Sequence, residues 1–299
     1  MLKHTQRILP AAAAMSAVFL GGSLVANGDD EVAPPSEVVL TGTVRDFREK
    51  NHEDGHPDFE VRPSGGYGLY AGNIARDLDE QGKPVFIGGG YKLTSPYKDS
   101  SNRPIAWTMY DSSLGDSAGN KGVDSSGGIT SAESFAEWFR DVPGANISDN
   151  IELTFKRQAD GNYVFDDKQD DRYANLGGFF PIENALFGNP GGSPDRNFHF
   201  TFEMNTTFVY KEGSGQVFRF TGDDDVWVFI NNKLVIDLSG VHSALDQYVE
   251  LDRLDLEDGE TYPLSFFFAE RHRTQSNFRI ETTLELTPRA ATTTTLAFD

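Results

Sequence analysis

Phenylalanine recurs at every second position over several stretches of this 299-residue chain, and this spacing favours extended strands. Phe198, Phe200 and Phe202 alternate with polar residues, and Phe218 and Phe220 continue the pattern after a Gly-Ser-Gly turn. Successive side chains of a strand point to opposite faces of a sheet, so a period of two places these rings on one face. Most of the 23 phenylalanines are therefore expected in a core.

The segment 226–230 is a continuous apolar run, which is typical of a strand buried on both faces. Two residues that tolerate positive φ, Asn231–Asn232, separate it from the apolar segment 234–236, so the pattern predicts a tight hairpin. Alternating stretches recur at 262–268 and 278–286. Many short strands separated by turn residues indicate a mostly β protein, a β-sandwich or a barrel.

One short helix is predicted within this β protein. Thr130 and Glu133 have the spacing of a capping box, and Phe135, Trp138 and Phe139 follow at helical spacing before a Pro-Gly pair. We interpret this aromatic stripe as core packing and not as a ligand site.

The two ends of the chain differ in composition from its middle. A basic stretch and an alanine-rich apolar run within residues 1–28 have the pattern of a secretory signal peptide, the alternative being an uncleaved membrane anchor. Residues 29–40 are predicted to be a flexible lead-in and residues 287–299 a low-complexity tail. Residues 37–128 are expected to be loop-rich and to pack on the β domain. The signal-peptide pattern predicts a protein that is secreted, extracellular or at the cell surface. No second apolar stretch is long enough to span a membrane, so the mature chain is expected to be soluble.

The chain carries a formal net charge of −20 and has no cysteine. An acidic surface repels nucleic acids and anionic membranes and suits divalent cations, although a role in solubility alone would also account for it. The absence of cysteine excludes an acylated lipoprotein. It also argues for a core large enough to fold without disulfides.

Signatures of catalysis are weak in this sequence. His52, Glu53 and His56 match the H-E-x-x-H pattern of zinc proteases, but Gly55 and Pro57 disfavour the helix that would bring both histidines to one face. We therefore treat the match as coincidental. The chain has no G-x-S-x-G motif, P-loop or dinucleotide fingerprint, so the sequence does not predict an enzyme.

Three consecutive aspartates, Asp223, Asp224 and Asp225, lie between a strand that ends at Phe220 and the apolar run 226–230. Carboxylates at the mouth of a buried strand repel one another and need solvent, hydrogen bonds or a cation. Calcium, which takes about six to eight oxygen ligands, is the natural partner. Neighbouring strand residues point to opposite faces, so two of them share one ion only with an unusual backbone such as a cis peptide bond. An acidic turn without metal is the alternative.

The segment 218–237, FRFTGDDDVWVFINNKLVID, resembles the hallmark of the PA14 family: a strand, an Asp-Asp pair, a hairpin and a K-L-V-I-D return. Other segments resemble the fibro-slime subgroup of that family, among them TGTVRDF at 41–47, HPDF at 56–59, WFRD at 138–141, RNFHFTF at 196–202, DLSGVH at 237–242 and FAERH at 268–272. The resemblance implies a fibro-slime domain over residues 41–286, with a PA14-like β core at about 145–286.

In sugar-binding PA14 proteins an Asp pair and a loop asparagine coordinate calcium, and the ion binds glycan hydroxyls. The resemblance therefore implies that Asp223 and Asp224 are the pair and that Asn277 is the third metal ligand. The other residues expected at the ligand-binding end of the sheet are Asp225, Asp237, His242, Glu270, Arg271 and His272. For Glu270, Arg271 and His272, a structural ion pair is an equal alternative.

The leading functional hypothesis is a secreted, calcium-dependent binding module, whose partner is an extracellular carbohydrate or matrix polymer. The alternative is a structural protein of an extracellular matrix or slime, in which calcium only stabilises the fold. A third possibility is a glycoside hydrolase, a protease or an accessory to one. It is disfavoured because the domain fills the chain and leaves no room for a separate catalytic domain.

Overall fold

The structure is a computed structural model that describes residues 33–289. The predicted signal peptide, the first residues of the lead-in and most of the tail lie outside the described residues. The described residues form mainly strands: β1 (Glu37–Phe47), β2 (Tyr70–Ala71), β3 (Tyr91–Ser95), β4 (Tyr97–Lys98), β5 (Pro104–Ile105), β6 (Asn120–Asp124), β7 (Asn146–Arg157), β8 (Tyr163–Asp166), β9 (Phe200–Val209), β10 (Val217–Gly222), β11 (Asp225–Ile230), β12 (Lys233–Leu238), β13 (Leu245–Glu250), β14 (Thr261–Glu270), β15 (Phe278–Thr282) and β16 (Thr287–Pro288). The two short α-helices are α1 (Ala132–Ala136) and α2 (Asp171–Ala174).

Eleven antiparallel strands form the main sheet, in the order β12-β11-β14-β9-β1-β7-β8-β15-β10-β13, with β16 added on β9. Strand β1 lies between β7 and β9 and pairs with both, although it is far from them in sequence. Because β1 begins at Glu37, residues 37–40 belong to the sheet, and their assignment to a flexible lead-in was wrong. The first residues of the predicted tail, Thr287 and Pro288, likewise pair with β9.

The two ends of this sheet, β12 and β13, meet through a side chain and not through a backbone ladder. Gln247 on β13 accepts the N–H of Asp237 at Oε1 (2.8 Å) and donates Nε2–H to the carbonyl of Asp237 (2.9 Å). The Gln247 amide, which is 2% exposed, thus makes the two hydrogen bonds that a neighbouring backbone would otherwise make. The mostly β, barrel-like architecture predicted from the alternating pattern is confirmed.

The main core fills the inside of the curved sheet and is rich in phenylalanine. Strand β11 is buried on both faces, as its continuous apolar sequence predicted: Val226, Val228 and Ile230 join this core, while Trp227 and Phe229 point outward into a second cluster. The turn at Asn231–Asn232 has φ of 50° and 60°, so the predicted hairpin between β11 and β12 is confirmed.

The second cluster lies beneath α1, where the aromatic stripe is fully buried. Trp138 packs against Trp227 with ring centroids 6.1 Å apart, and Phe139 meets Phe267 at 4.9 Å. This confirms the interpretation of the stripe as core packing. The cap is one residue later than predicted, because the reciprocal hydrogen bonds join Ser131 and Ser134 and not Thr130 and Glu133.

The segment before α1 contributes two small sheets, in the orders β2-β3-β6 and β4-β5, joined by long turns. An isolated bridge pairs Tyr70 with Ser239, and a buried ion pair joins Lys83 Nζ to Glu203 Oε1 on β9 at 2.6 Å. These contacts hold the loop-rich region on the β domain. Residues 51–54 form turns, so the H-E-x-x-H match is not on a helix, as the residues around it indicated.

No helix within residues 33–289 has both the length and the apolar composition that crossing a membrane would require.

Replacing Gln247 by leucine should lower the free energy of unfolding by about 2–4 kcal/mol, because it leaves the buried N–H and C=O of Asp237 without partners. Urea unfolding monitored by tryptophan fluorescence measures the change. The matched control is Gln158→Leu on an exposed turn, which should alter stability by less than about 0.5 kcal/mol. Equal stability of the two variants would show that the side chain does not close the sheet.

Candidate metal and ligand site

The three aspartates lie at one end of the main sheet, where β10 ends and β11 begins. Gly222 leaves no room for a side chain, since a Cβ there would lie 2.1 Å from the carbonyl oxygen of Asn277. The Asp223–Asp224 peptide bond is cis, the unusual backbone that was expected if these two neighbours share one ion. Both side chains line one cavity of about 220 Å³, here called the acidic cavity.

Asn277, just before β15, holds Asp223 in place. Its backbone N–H donates to Asp223 Oδ1 at 2.5 Å, and its Nδ2–H donates to Oδ2 at 2.8 Å. The asparagine predicted from the resemblance is therefore beside the aspartate pair. Its visible contact is with the Asp223 carboxylate, so it positions that group.

Asp224 and Glu270 are buried carboxylates with few donors. Asp224 is 3% exposed and, within residues 33–289, accepts hydrogen bonds from just two backbone N–H groups, those of His242 at 3.1 Å and Arg271 at 3.4 Å. Glu270, the last residue of β14, is fully buried. Its Oε1 accepts the N–H of His272 at 3.4 Å, and its Oε2 has no hydrogen-bond partner among the described residues.

Burial raises the pKa values of all three groups, and repulsion by neighbouring carboxylates raises those of Asp224 and Glu270 further. Burial is the largest cause for Asp223, Asp224 and Glu270. The negative charge of Asp225 raises the pKa of Asp224 further, and the charges of Asp224 and Asp223 do the same for Glu270. The three buried carboxyl groups thus interact through their charges, and Asp224 and Glu270 have few hydrogen-bond donors.

Asp225 has a different environment from its two neighbours. Arg271 donates Nε–H to Asp225 Oδ2 at 2.5 Å and Nη2–H to Oδ1 at 3.2 Å, and both side chains are fully buried. The same guanidinium donates to the carbonyls of Asp58 and Gly127, and it lies 5.0 Å from the ring centroid of Trp138. Asp225 was predicted to contact ligand, and Arg271 either to contact ligand or to form a structural ion pair; the two residues form an internal ion pair.

Asp237 is also held inside the protein and does not line the acidic cavity. Its carboxylate accepts four hydrogen bonds, from the indoles of Trp107 (2.8 Å) and Trp227 (3.2 Å), the hydroxyl of Ser239 (2.6 Å) and the N–H of Gly72 (3.2 Å). The prediction that Asp237 contacts ligand was wrong, because neutral donors already satisfy both of its oxygens.

His242 and His272, two of the expected ligand-binding residues, line the acidic cavity. His272 Nδ1 lies 2.7 Å from Glu60 Oε2, and its ring is 4.7 Å from that of Tyr67. Burial alone would raise the pKa of Glu60, but its contacts with His199 and His272 outweigh that effect and lower it.

Two residues of this site were missed by sequence reasoning. Tyr67 lines the acidic cavity, and Glu60 contacts His272, which lines the same cavity. Both come from the loop-rich region, where no periodic pattern or motif marked them. Only the contact between distant parts of the chain brings them to the aspartates.

Asp224→Asn and Asp225→Asn should change stability differently in chelated protein. Asp225→Asn leaves the buried Arg271 charge without its partner and should lower the free energy of unfolding by about 3–5 kcal/mol. Asp224→Asn removes a repelled charge and should leave stability unchanged or higher. Chemical denaturation in EDTA measures both. Equal losses would contradict the distinct environments of the two aspartates.

The raised pKa values also predict how stability without cation depends on pH. Asp223, Asp224 and Glu270 hold protons in the folded chain above the pH at which the unfolded chain has released them, near 3.8 for aspartate and 4.5 for glutamate. The stability that these protonated groups contribute is complete below that pH range. It is lost as pH rises through the pKa values of the folded chain. The wild type should therefore lose more stability between pH 4.5 and pH 8 than an Asp224→Asn/Glu270→Gln double variant. Equal losses of unfolding free energy in the wild type and the double variant over this pH range would contradict the prediction.

The sequence that forms this site is similar to known proteins. Residues 187–299 match the family model of the PA14 domain. Protein psiQ of Dictyostelium discoideum is 39% identical over 53% of this chain and 16% of its own length, and protein psiR of the same organism is 34% identical over 83% and 21%. The chain thus spans about a fifth of the length of these curated relatives.

A solved anti-sigma factor domain-containing protein, 18% identical, covers 36% of this chain and 39% of its own with a TM-score of 0.28, which is too low to support an argument. The sequence matches carry the assignment. The chain therefore contains a PA14 domain, matched over residues 187–299.

Proposed function

We propose that this chain is a secreted carbohydrate-binding module in which a calcium ion, held at Asp223 and Asp224 beside Glu270, bridges the protein to sugar hydroxyls. The observation that carries the proposal is the buried Glu270 Oε2, which has no hydrogen-bond partner among the described residues and belongs to a carboxyl group whose pKa the charges of Asp224 and Asp223 raise. PA14 domains are modules of the carbohydrate-binding and adhesion type.

A comparison within the same protein supports the need for a cation. Asp237 and Asp224 are both almost completely buried, but Asp237 accepts four hydrogen bonds and Asp224 only two, the longer of them 3.4 Å. Arg271, the nearby guanidinium, is already bound to Asp225. A divalent cation would supply the charge that hydrogen bonds do not.

The residues at this position fit calcium in particular. Calcium prefers oxygen ligands and tolerates irregular sets that include carboxylates and amide oxygens. The candidate ligands are the carboxylates of Asp223 and Asp224, which line the acidic cavity, and that of Glu270, whose pKa their charges raise. Asn277 keeps Asp223 in place. When bound, the ion would supply open coordination positions that accept the hydroxyl oxygens of a sugar.

The walls of the acidic cavity suit a sugar. Tyr67 offers an aromatic face, and His242, Ser243, Thr274 and Gln275 offer polar groups around the aspartates. No bond is made or broken in this proposal, and the partner is an extracellular glycan or matrix polymer. Secretion is supported by the signal-peptide pattern of residues 1–28.

One observation favours the second candidate, a structural protein of a matrix or slime. Asp223 and Asp224 are only 2% and 3% exposed, so an ion between them would be largely enclosed. In that case calcium stiffens the junction of β10, β11 and β14 without contacting a glycan. Both candidates require the ion, and they differ only in whether sugar binding depends on it.

Calcium should raise the melting temperature of chelated protein by about 5–10 °C when present at roughly 100 times its dissociation constant. Asp224→Asn and Glu270→Gln should lose most of this increase, because each removes a candidate ligand. The matched control is Asp77→Asn, at an exposed aspartate paired only with Lys233, which should keep the full increase. Scanning calorimetry with and without EDTA measures the shift, and an unchanged wild-type melting temperature would contradict the calcium site.

A glycan array probed with and without EDTA separates the two candidate functions. Calcium-dependent binding that is lost in Asp224→Asn supports the carbohydrate-binding module. A calcium-dependent melting temperature without any bound glycan supports the structural protein. Soluble products released from polysaccharides would overturn both and indicate an enzyme.

A further inference from the structure

A second and larger concavity adjoins the acidic cavity. It has a volume of about 480 Å³ and is here called the Leu93 groove, after the strand β3 residue in its floor. Tyr67, His242 and Ser243 line both concavities. These three residues form the border between them, so a molecule bound at the aspartates can continue across that border without leaving the protein surface.

The lining of the Leu93 groove combines apolar and hydroxyl-bearing side chains. Leu69, Pro96 and Leu245 supply apolar surface, while Thr94 and Ser95 supply hydroxyl groups. The carboxylate in this lining, Asp246, lies 2.9 Å from Arg219 Nη2 and so has its own counter-ion. Such a surface fits an uncharged ligand that has both apolar faces and hydroxyl groups, which is the chemistry of a neutral saccharide.

Tyr67 lies at the border between the two concavities, with other side chains beside its ring. Its ring is 41% exposed, with His272 4.7 Å away on one side and the Arg62 guanidinium 5.3 Å from the ring centroid. An exposed aromatic ring with fixed neighbours offers a flat apolar surface at small entropic cost. The apolar face of a sugar ring that leaves the acidic cavity would meet it first.

We propose that the ligand is a neutral oligosaccharide of at least two sugar units, one at the aspartates and the next across Tyr67 in the Leu93 groove. This inference rests on the proposed function and adds the size and charge of the ligand. The two volumes together lie within the range of small-ligand sites, about 300–1,000 Å³.

The inference gives the loop-rich region a role in binding. One wall of the Leu93 groove comes from residues 67–69, 93–96 and Pro104, which precede the part of the chain that matches the PA14 domain, 187–299. The opposite wall comes from residues 238–247 within that match. Selection among glycans would therefore depend on both parts of the chain, whereas the candidate metal ligands all lie in the second.

Calorimetric titration of the calcium-loaded full chain with neutral linear oligosaccharides tests the proposal. The probes are gluco-, manno-, galacto- and N-acetylglucosamine series of one to six units. Affinity for the preferred series should rise at least tenfold from one unit to three and then level off. Thr94→Arg, at an exposed position in the groove, should abolish this increase and leave monosaccharide binding unchanged.

Two further variants complete the design. Tyr67→Ala should weaken the binding of the longer saccharides at least fivefold. The matched control is Tyr110→Ala, since Tyr110 has a similar exposure of 37% but lines neither concavity, and it should bind like the wild type. Melting temperatures check that each variant is folded.

The outcomes separate this inference from the proposed function. Calcium-dependent monosaccharide binding with no gain from longer chains would overturn the groove and leave the proposed function standing. A length-dependent gain that survives in Thr94→Arg would also overturn the groove. Failure of every saccharide to bind, with or without calcium, would overturn the proposed function and the groove together.

Discussion

The buried ion pair between Asp225 and Arg271 is the interaction on which the rest of the site depends. It ties the start of β11 to the residue that follows β14, and the same guanidinium donates to carbonyls of Asp58 and Gly127 in the loop-rich region. The Arg271 charge also acts on Asp224 and lowers its pKa in part, but burial and the charge of Asp225 keep that pKa raised. One aspartate of the three thus builds the fold, while Asp224 and Glu270 remain buried with few hydrogen-bond donors.

This division accounts for the position of the candidate site. Asp223 and Asp224 lie between β10 and β11, Glu270 ends β14, and the fold keeps all three buried although the two aspartates repel Glu270. A stable protein tolerates such repulsion where a ligand relieves it. The loop-rich region then covers the outer face of the sheet and supplies Tyr67 to the rim of the acidic cavity. The main sheet, the candidate metal ligands and Tyr67 therefore meet at one place in the fold.

Much of the fold could be predicted from local pattern. Alternating phenylalanines marked the strands, the Asn231–Asn232 pair marked the hairpin, and the apolar run of β11 marked a strand buried on both faces. The roles of individual polar residues could not be predicted, because they depend on contacts between distant parts of the chain. Gln247 joins the sheet ends only through Asp237, and the acidic Asp225 and Asp237 look in sequence like candidate ligands until their donors are seen. The run of three aspartates was found because charge beside a buried strand is a local signal, and the family resemblance then indicated Asp223 and Asp224 as the pair.

The central claim is that the carboxylates of Asp223, Asp224 and Glu270 converge to hold one cation. The most direct measurement is an anomalous difference map at a long X-ray wavelength, from crystals of the full chain grown with calcium. The account predicts one strong peak in contact with both aspartate side chains, with Glu270 Oε2 turned toward it. A map without a peak there, while calcium is bound at another place in the crystal, would contradict the account.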